Sequence, residues 1–122
     1  MDMARLRAEM TADELESARE RARNYRAGWR KRIRLAALVH YSGGTPRCNC
    51  CGDEHLAFLT INHIDGDGAR HRREEFGSKT YGGSHMLWTW LKRNGYPDGF
   101  EVLCFNCNFA QYWGGCPHKE GE

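Results

Sequence analysis

Cys48-Asn49-Cys50-Cys51-Gly52 and Val102-Leu103-Cys104-Phe105-Asn106-Cys107-Asn108 frame the C-terminal part of this 122-residue chain. Each stretch holds a C-x-x-C pair, Cys48/Cys51 and Cys104/Cys107. Two residues between thiols let both sulfurs of one tight turn face the same ion. Gly52, just after the second thiol, permits the unusual backbone of such a turn. The two pairs supply four thiolates, a closed tetrahedral shell for Zn²⁺ with Zn–S near ~2.3 Å. Such a site is structural, because no coordination position stays open, and it staples the start of the domain to its second strand. The competing reading is a set of buried free thiols, or a redox C-x-x-C, which would want a thioredoxin-like βαβ context that is absent. Cys50 competes with Cys48, but Cys50-Cys51 lacks the spacing. Cys116-Pro117-His118 reads either as an added ligand or a second small site with Cys50 or His55, or as an ordinary thiol and an exposed His.

Between the pairs, Leu56 to Ile64 alternates and is β-branched, as a strand should be. Ile64 to Tyr81 is polar, Gly-rich and irregular. Ser84 to Arg93 reads as a short helix with Leu87, Trp88 and Leu91 inward and Gly95 closing it. Tyr96-Pro97-Asp98-Gly99 is a turn signal, with Pro presetting φ and Asp-Gly completing the reversal. Phe100 to Cys104 is a second strand, and a last helix is expected from about Cys107 to Trp113. Trp88, Trp90 and Trp113 read as packing residues rather than stacking platforms.

Upstream, Thr11-Ala12-Asp13-Glu14 has the form of a capping box. A long helix should follow, ending near Tyr41 before Ser42-Gly43-Gly44-Thr45-Pro46. Leu15, Ala18, Ala22, Tyr25, Trp29, Ile33 and Ala36 recur every three or four residues and form one stripe. Arg19, Arg23, Arg26 and Arg30 make a basic ridge beside it. Gly28 inside costs ~1 kcal/mol relative to Ala. The expected organisation is a basic helical extension, 1–46, and a functional domain, 47–122.

The length suits one domain plus an appendage, and so small a core often needs a metal or a disulfide for support. The longest apolar run, Leu35 to Val39, is far too short to span a bilayer. The first ten residues lack the apolar stretch of a secretory signal. A reducing cytoplasm follows as the expected location, where six cysteines are metal ligands or free thiols rather than a disulfide framework. The net charge of +2 divides unevenly. Residues 1–45 carry ten Lys/Arg and six Asp/Glu, whereas 46–122 carry eight and ten. A basic block beside a weakly acidic domain suggests an arm for a polyanion and a site that collects cations; the competing reading is a solvated helix face.

The combination of motifs resembles the HNH family. Its pattern is CxxCG, a strand ending in an acid-His pair, a long loop, then a strand leading to CxxC followed at once by Asn or His. Here the parts are Cys48 to Gly52, Phe58-Leu59-Thr60-Ile61-Asn62-His63, and Val102 to Asn108. The resemblance covers roughly residues 47–113 and is greatest to small phage and prophage HNH proteins, through Asn62-His63-Ile64-Asp65-Gly66-Asp67-Gly68 and Tyr96 to Asn108. It implies an α+β fold: a small ββα-metal core with two zinc knuckles, preceded by the long basic amphipathic helix. It also implies DNA phosphodiester hydrolysis, nicking or cutting both strands, with His63 as the general base. Asn62 and Asn108 match the family's metal positions, for Mg²⁺ or Mn²⁺. Arg70, Arg72, Arg73, Lys92 and Arg93 are candidate phosphate contacts, as are Arg26 and Arg30 on the helix. The setting would be the cytoplasm of a bacterial host, and the stripe would suit DNA or a phage packaging or repair partner.

Two departures stand out. Asn62 replaces the usual acid before the His, and the middle Asn that orients the base aligns with about Gly99. His71 is a substitute ligand or phosphate contact, and Asp65 or Asp67 a substitute carboxylate. The alternative function is a catalytically inactive zinc-binding module that binds nucleic acid.

Overall fold

The computed structural model describes residues 8–77 and 84–119. Among the described residues it is a mixed α+β structure with two strands and four helices. In chain order these are α1 (Ala12–Ser42), β1 (Leu59–His63), α2 (Gly68–Phe76), α3 (Ser84–Arg93), β2 (Phe100–Cys104) and α4 (Phe105–Phe109). Short 3₁₀ turns stand at Leu56–Phe58, Ala110–Trp113 and Pro117–Lys119.

Compactness divides the chain inside α1, into units 1–32 and 33–122. In the first unit, the Glu14 N–H donates to Thr11 Oγ1 at 3.1 Å, the half of the capping box that starts α1. Leu15 and Ala18 of the stripe are half-buried, and Tyr25 is exposed. The Arg23 guanidinium pairs with Glu16 two turns back, at 2.9 Å.

In the second unit, β1 and β2 pair antiparallel, from Leu59 opposite Cys104 to His63 opposite Phe100. The pleat sends Leu59 and Ile61 inward with Val102, and Leu103 and Cys104 are buried as well. This face meets Leu87 and Leu91 of α3 and Ala37 and Leu38 of α1. The buried residues of α1 are thus Ile33, Ala37 and Leu38, one position beyond the expected Ala36. Arg34 of α1 donates to the carbonyls of Leu56 and, at 2.9 Å, Leu59. It holds the entry of β1, and its partial burial lowers its pKa. Tyr41 donates to the Pro97 carbonyl at 2.7 Å, tying the end of α1 to the reversal before β2. Burial, with Asp98 and Tyr96 nearby, pushes that phenol up to about 12.

Three expectations shift. The stretch 64–81, read as irregular, contains α2. That helix buries none of its residues, so it has no apolar period to read; Gly77 ends it in the left-handed region at φ +62°. The strand read from Leu56 begins at Leu59, after a 3₁₀ turn. The last helix begins at Phe105 rather than Cys107, because Cys104 caps it: its sulfur accepts from the Cys107 N–H. Gly95, at φ +70°, closes α3 as expected.

Candidate active site and metal-binding groups

Every cysteine is a free thiol, and all six fall into two groups that could hold a metal ion. The first is Cys48, Cys51, Cys104 and Cys107, as the spacing predicts. The N–H groups of Cys50 and Cys51 point at Cys48 Sγ at 3.4 and 3.5 Å, and Cys107 N–H points at Cys104 Sγ at 3.4 Å. Gly52 adopts φ +78°, and its N–H bonds the Cys48 carbonyl at 3.0 Å. The pairs meet because Asn49 N–H bonds the Val102 carbonyl at 2.8 Å, which lays the first turn along β2. Cys51 and Cys104 sulfurs are 3.7 Å apart.

The second group is Cys50, Cys107, Cys116 and His118. Cys116 and His118 converge on Cys50, not on His55, whose Nδ1 lies 2.6 Å from Asp53 instead. Burial pushes the Cys48 thiol up, but the N–H groups aimed at its sulfur outweigh this and bring it to about 6. Cys107, also desolvated and crowded by Cys104 and Cys116, is pushed up. Thiols packed this closely ionise at one another's expense, and a divalent cation removes that conflict.

A cleft of about 560 Å³ opens beside the sheet. Asn62 and His63 reach it from the end of β1, Asn108 from α4, and Arg72 from α2. The two asparagines are fixed through their amide nitrogens: Asn62 Nδ2 donates to Glu101 Oε1 at 3.3 Å, and Asn108 Nδ2 to Thr60 Oγ1 at 3.0 Å. This orientation follows from the hydrogen-bond network. It leaves each Oδ1 as the group's remaining polar atom, an oxygen of the kind hard divalent ions take. No carboxylate lines this cleft among the described residues.

His63 Nε2 lies 3.1 Å from His71 Nδ1, so one of the pair donates to the other. Its Nδ1 lies toward Gly68, where a Cβ would come within 3.3 Å of it. Burial depresses the His63 pKa, and His71 and Arg72 lower it further against the opposing pull of Asp67. His71 is itself packed edge-on to Trp90 at 4.2 Å. Asp65, Asp67, His71 and Glu74 line a separate hollow on the other side of His63, of about 230 Å³. The structure thus brings Asn62, His63 and Asn108 together and places Asp65 and Asp67 elsewhere. Ile64 N–H bonds the carbonyl of Gly99, the position that aligned with the middle Asn, at 2.9 Å.

Among the candidate phosphate contacts, Arg72 lines the cleft, Arg70 is paired with Asp67 at 2.9 Å, and Arg73, Lys92, Arg93, Arg26 and Arg30 are exposed. Trp88 and Trp90 are half-buried, but Trp113, expected to pack, is 78 % exposed. With Phe105, Phe109 and Tyr112 it belongs to an exposed aromatic stretch, because α4 turns Cys107 inward and the following 3₁₀ turn buries none of its residues. Glu101 went unnoticed in the sequence. Only the register, which sets it opposite Asn62, reveals its part.

No family model, curated protein or solved structure matches the chain. Among the described residues, no helix is long and apolar enough to cross a membrane.

Proposed function

We propose that the chain is a metal-dependent HNH endonuclease that hydrolyses DNA phosphodiester bonds, with His63 as general base. The observation that carries this reading is the convergence of Asn62, His63 and Asn108 on one cleft. An antiparallel strand pair running straight into a helix delivers all three. The Oδ1 atoms of Asn62 and Asn108 would hold Mg²⁺ or Mn²⁺. Such an ion supplies charge stabilisation on a phosphate oxygen and its leaving group. His63 takes the proton of the attacking water, which requires a neutral imidazole; its burial keeps it neutral. If Nε2 of His63 carries the hydrogen, Nδ1 of His71 accepts it, and the ring's other nitrogen is the basic one. His71 is then a positioning residue in place of the family's middle Asn, not a metal ligand. Arg72 faces the same cleft and suits a phosphate oxygen.

Cys48, Cys51, Cys104 and Cys107 would hold a structural zinc in two knuckles. The fit rests on four sulfurs and the N–H groups that already point at them. The absence of a carboxylate from the described cleft lining favours a second reading, a zinc-binding module that binds nucleic acid without cutting it.

Supercoiled-plasmid cleavage with Mg²⁺, Mn²⁺ and EDTA, wild type beside His63→Ala, separates the two. The nuclease requires metal-dependent nicking or linearisation by the wild type and none by the variant. DNA binding without cleavage under any metal would leave the binding module.

A further inference from the structure

We propose that Cys107 bridges two zinc ions, one held with Cys48, Cys51 and Cys104, the other with Cys50, Cys116 and His118. The inference rests on reading the first group as a zinc site. Within each group the ligand atoms lie within 4.8 Å of one another, and Cys107 belongs to both. Two tetrahedral ions need eight donor positions, and the groups together offer seven residues; one shared sulfur closes both shells. A thiolate sulfur has lone pairs enough for two ions, whereas imidazole has one per nitrogen, so the shared ligand must be a cysteine.

The distances agree. Tetrahedral bonds of zinc to sulfur and nitrogen imply edges of about 3.8 Å between sulfurs and about 3.6 Å between sulfur and nitrogen. In the second group, His118 Nδ1 lies 3.8 Å from Cys50 Sγ and 3.4 Å from Cys107 Sγ, and Cys116 and Cys107 sulfurs are 3.5 Å apart. Cys116 Sγ and His118 Nδ1, at 2.7 Å, are the exception and must part by about 1 Å to admit an ion. Cys107 and Cys116 are buried, at 0 % and 5 % exposure. A Cys₃His set is an ordinary closed zinc shell, and charge favours filling it. Four thiolates around one ion carry −2, and six thiolates with a neutral imidazole around two ions also carry −2. The second ion therefore adds no net charge to the centre.

The second ion would brace the cleft. Asn108, Gln111 and Tyr112, which line it, all lie between Cys107 and Cys116. Ligands at both ends of that segment fix the wall that carries Asn108.

The test begins with the wild-type chain purified in zinc without chelator. Native mass spectrometry and elemental analysis should give two zinc ions per chain, with no cysteine alkylated under native conditions. His118→Ala and Cys116→Ser should each keep one zinc and the circular dichroism of the fold, and should expose Cys50 to alkylation. In the ¹¹³Cd-substituted protein, two resonances should show mutual scalar coupling through the shared sulfur. One zinc per chain with Cys50 and Cys116 alkylated in the wild type would overturn the second ion and leave the four-cysteine staple standing. Two uncoupled cadmium resonances would overturn the bridge. A folded protein without zinc would overturn the staple itself.

Discussion

His63 is held by contacts that also set when it can work. Burial, His71 and Arg72 keep its pKa below the ordinary 6.5. A base must be deprotonated, so cleavage should rise with pH along a limb centred below 6.5 and be flat through neutrality. His71→Ala removes a neighbour that lowers this pKa and the partner at Nε2. The limb should move up toward 6.5, and the plateau should fall by about 10–100-fold, the range for partners that orient a working group. Cleavage measured from about pH 5 to 8 checks both; a variant with a lowered plateau and an unmoved limb would mean that the titrating base is another group. Glu101 acts one step further out. Its carboxylate accepts from Asn49 Nδ2 at 3.0 Å as well as from Asn62, which pins the Asn62 amide. In Glu101→Ala that acceptor is gone, so Asn62 can turn. The Mg²⁺ concentration for half-maximal cleavage should rise severalfold while the pH limb stays in place, a separation that a metal titration at two pH values reads directly. At this scale the sequence exposes His63, Asn62 and Asn108, which sit in contiguous motifs. It hides His71 and Glu101 as partners, because one depends on how α2 folds back and the other on strand register.

The elements were legible where burial imposes a period. β1 alternates because one of its faces meets the core, β2 shows an apolar run because Val102, Leu103 and Cys104 are all buried, and α3 shows Leu87 and Leu91 one turn apart because both are buried. α2 has no such signal. It is held by His71 against Trp90 and by Glu75, which accepts from Trp90 Nε1 at 3.3 Å, contacts made by polar side chains that any loop could carry. The second cysteine group is hidden for a related reason. Cys50 stands next to Cys51, and only the folded turn places the two sulfurs in different groups. Leu91 tests how far the core, rather than the metal, holds these elements. It is fully buried among β1, β2 and α3, so Leu91→Ala should cost about 2–5 kcal/mol. Urea unfolding in saturating zinc is the measurement; a loss under about 1 kcal/mol would mean that the metal-binding groups dominate the stability of the unit and the apolar cluster adds little.

Charge is distributed over the two units with the signs the sequence suggests, though with a smaller contrast. Residues 1–32 carry nine Lys/Arg and six Asp/Glu, so 9 − 6 = +3, and residues 33–122 carry nine and ten, so 9 − 10 = −1. If the second unit cuts DNA as proposed, it gains little from long-range attraction to DNA because its net charge is negative, and most of the non-specific affinity would then come from the first unit. Arg26 and Arg30 are both exposed there, one turn apart on α1, as two phosphate contacts would be. Each phosphate neutralised by a basic side chain steepens the fall of log K with log salt by about 0.9. The double variant Arg26→Ala, Arg30→Ala should therefore flatten that slope by about 1.8 if both contacts form. Its zinc content and its cleavage rate at saturating DNA should be unchanged, because neither residue belongs to the cleft. Fluorescence anisotropy with a labelled duplex at several salt concentrations measures the slope. An unchanged slope would show that the basic ridge is a solvated helix face, and would leave the exposed Arg73, Lys92 and Arg93 and the cleft's own Arg72 as the phosphate contacts.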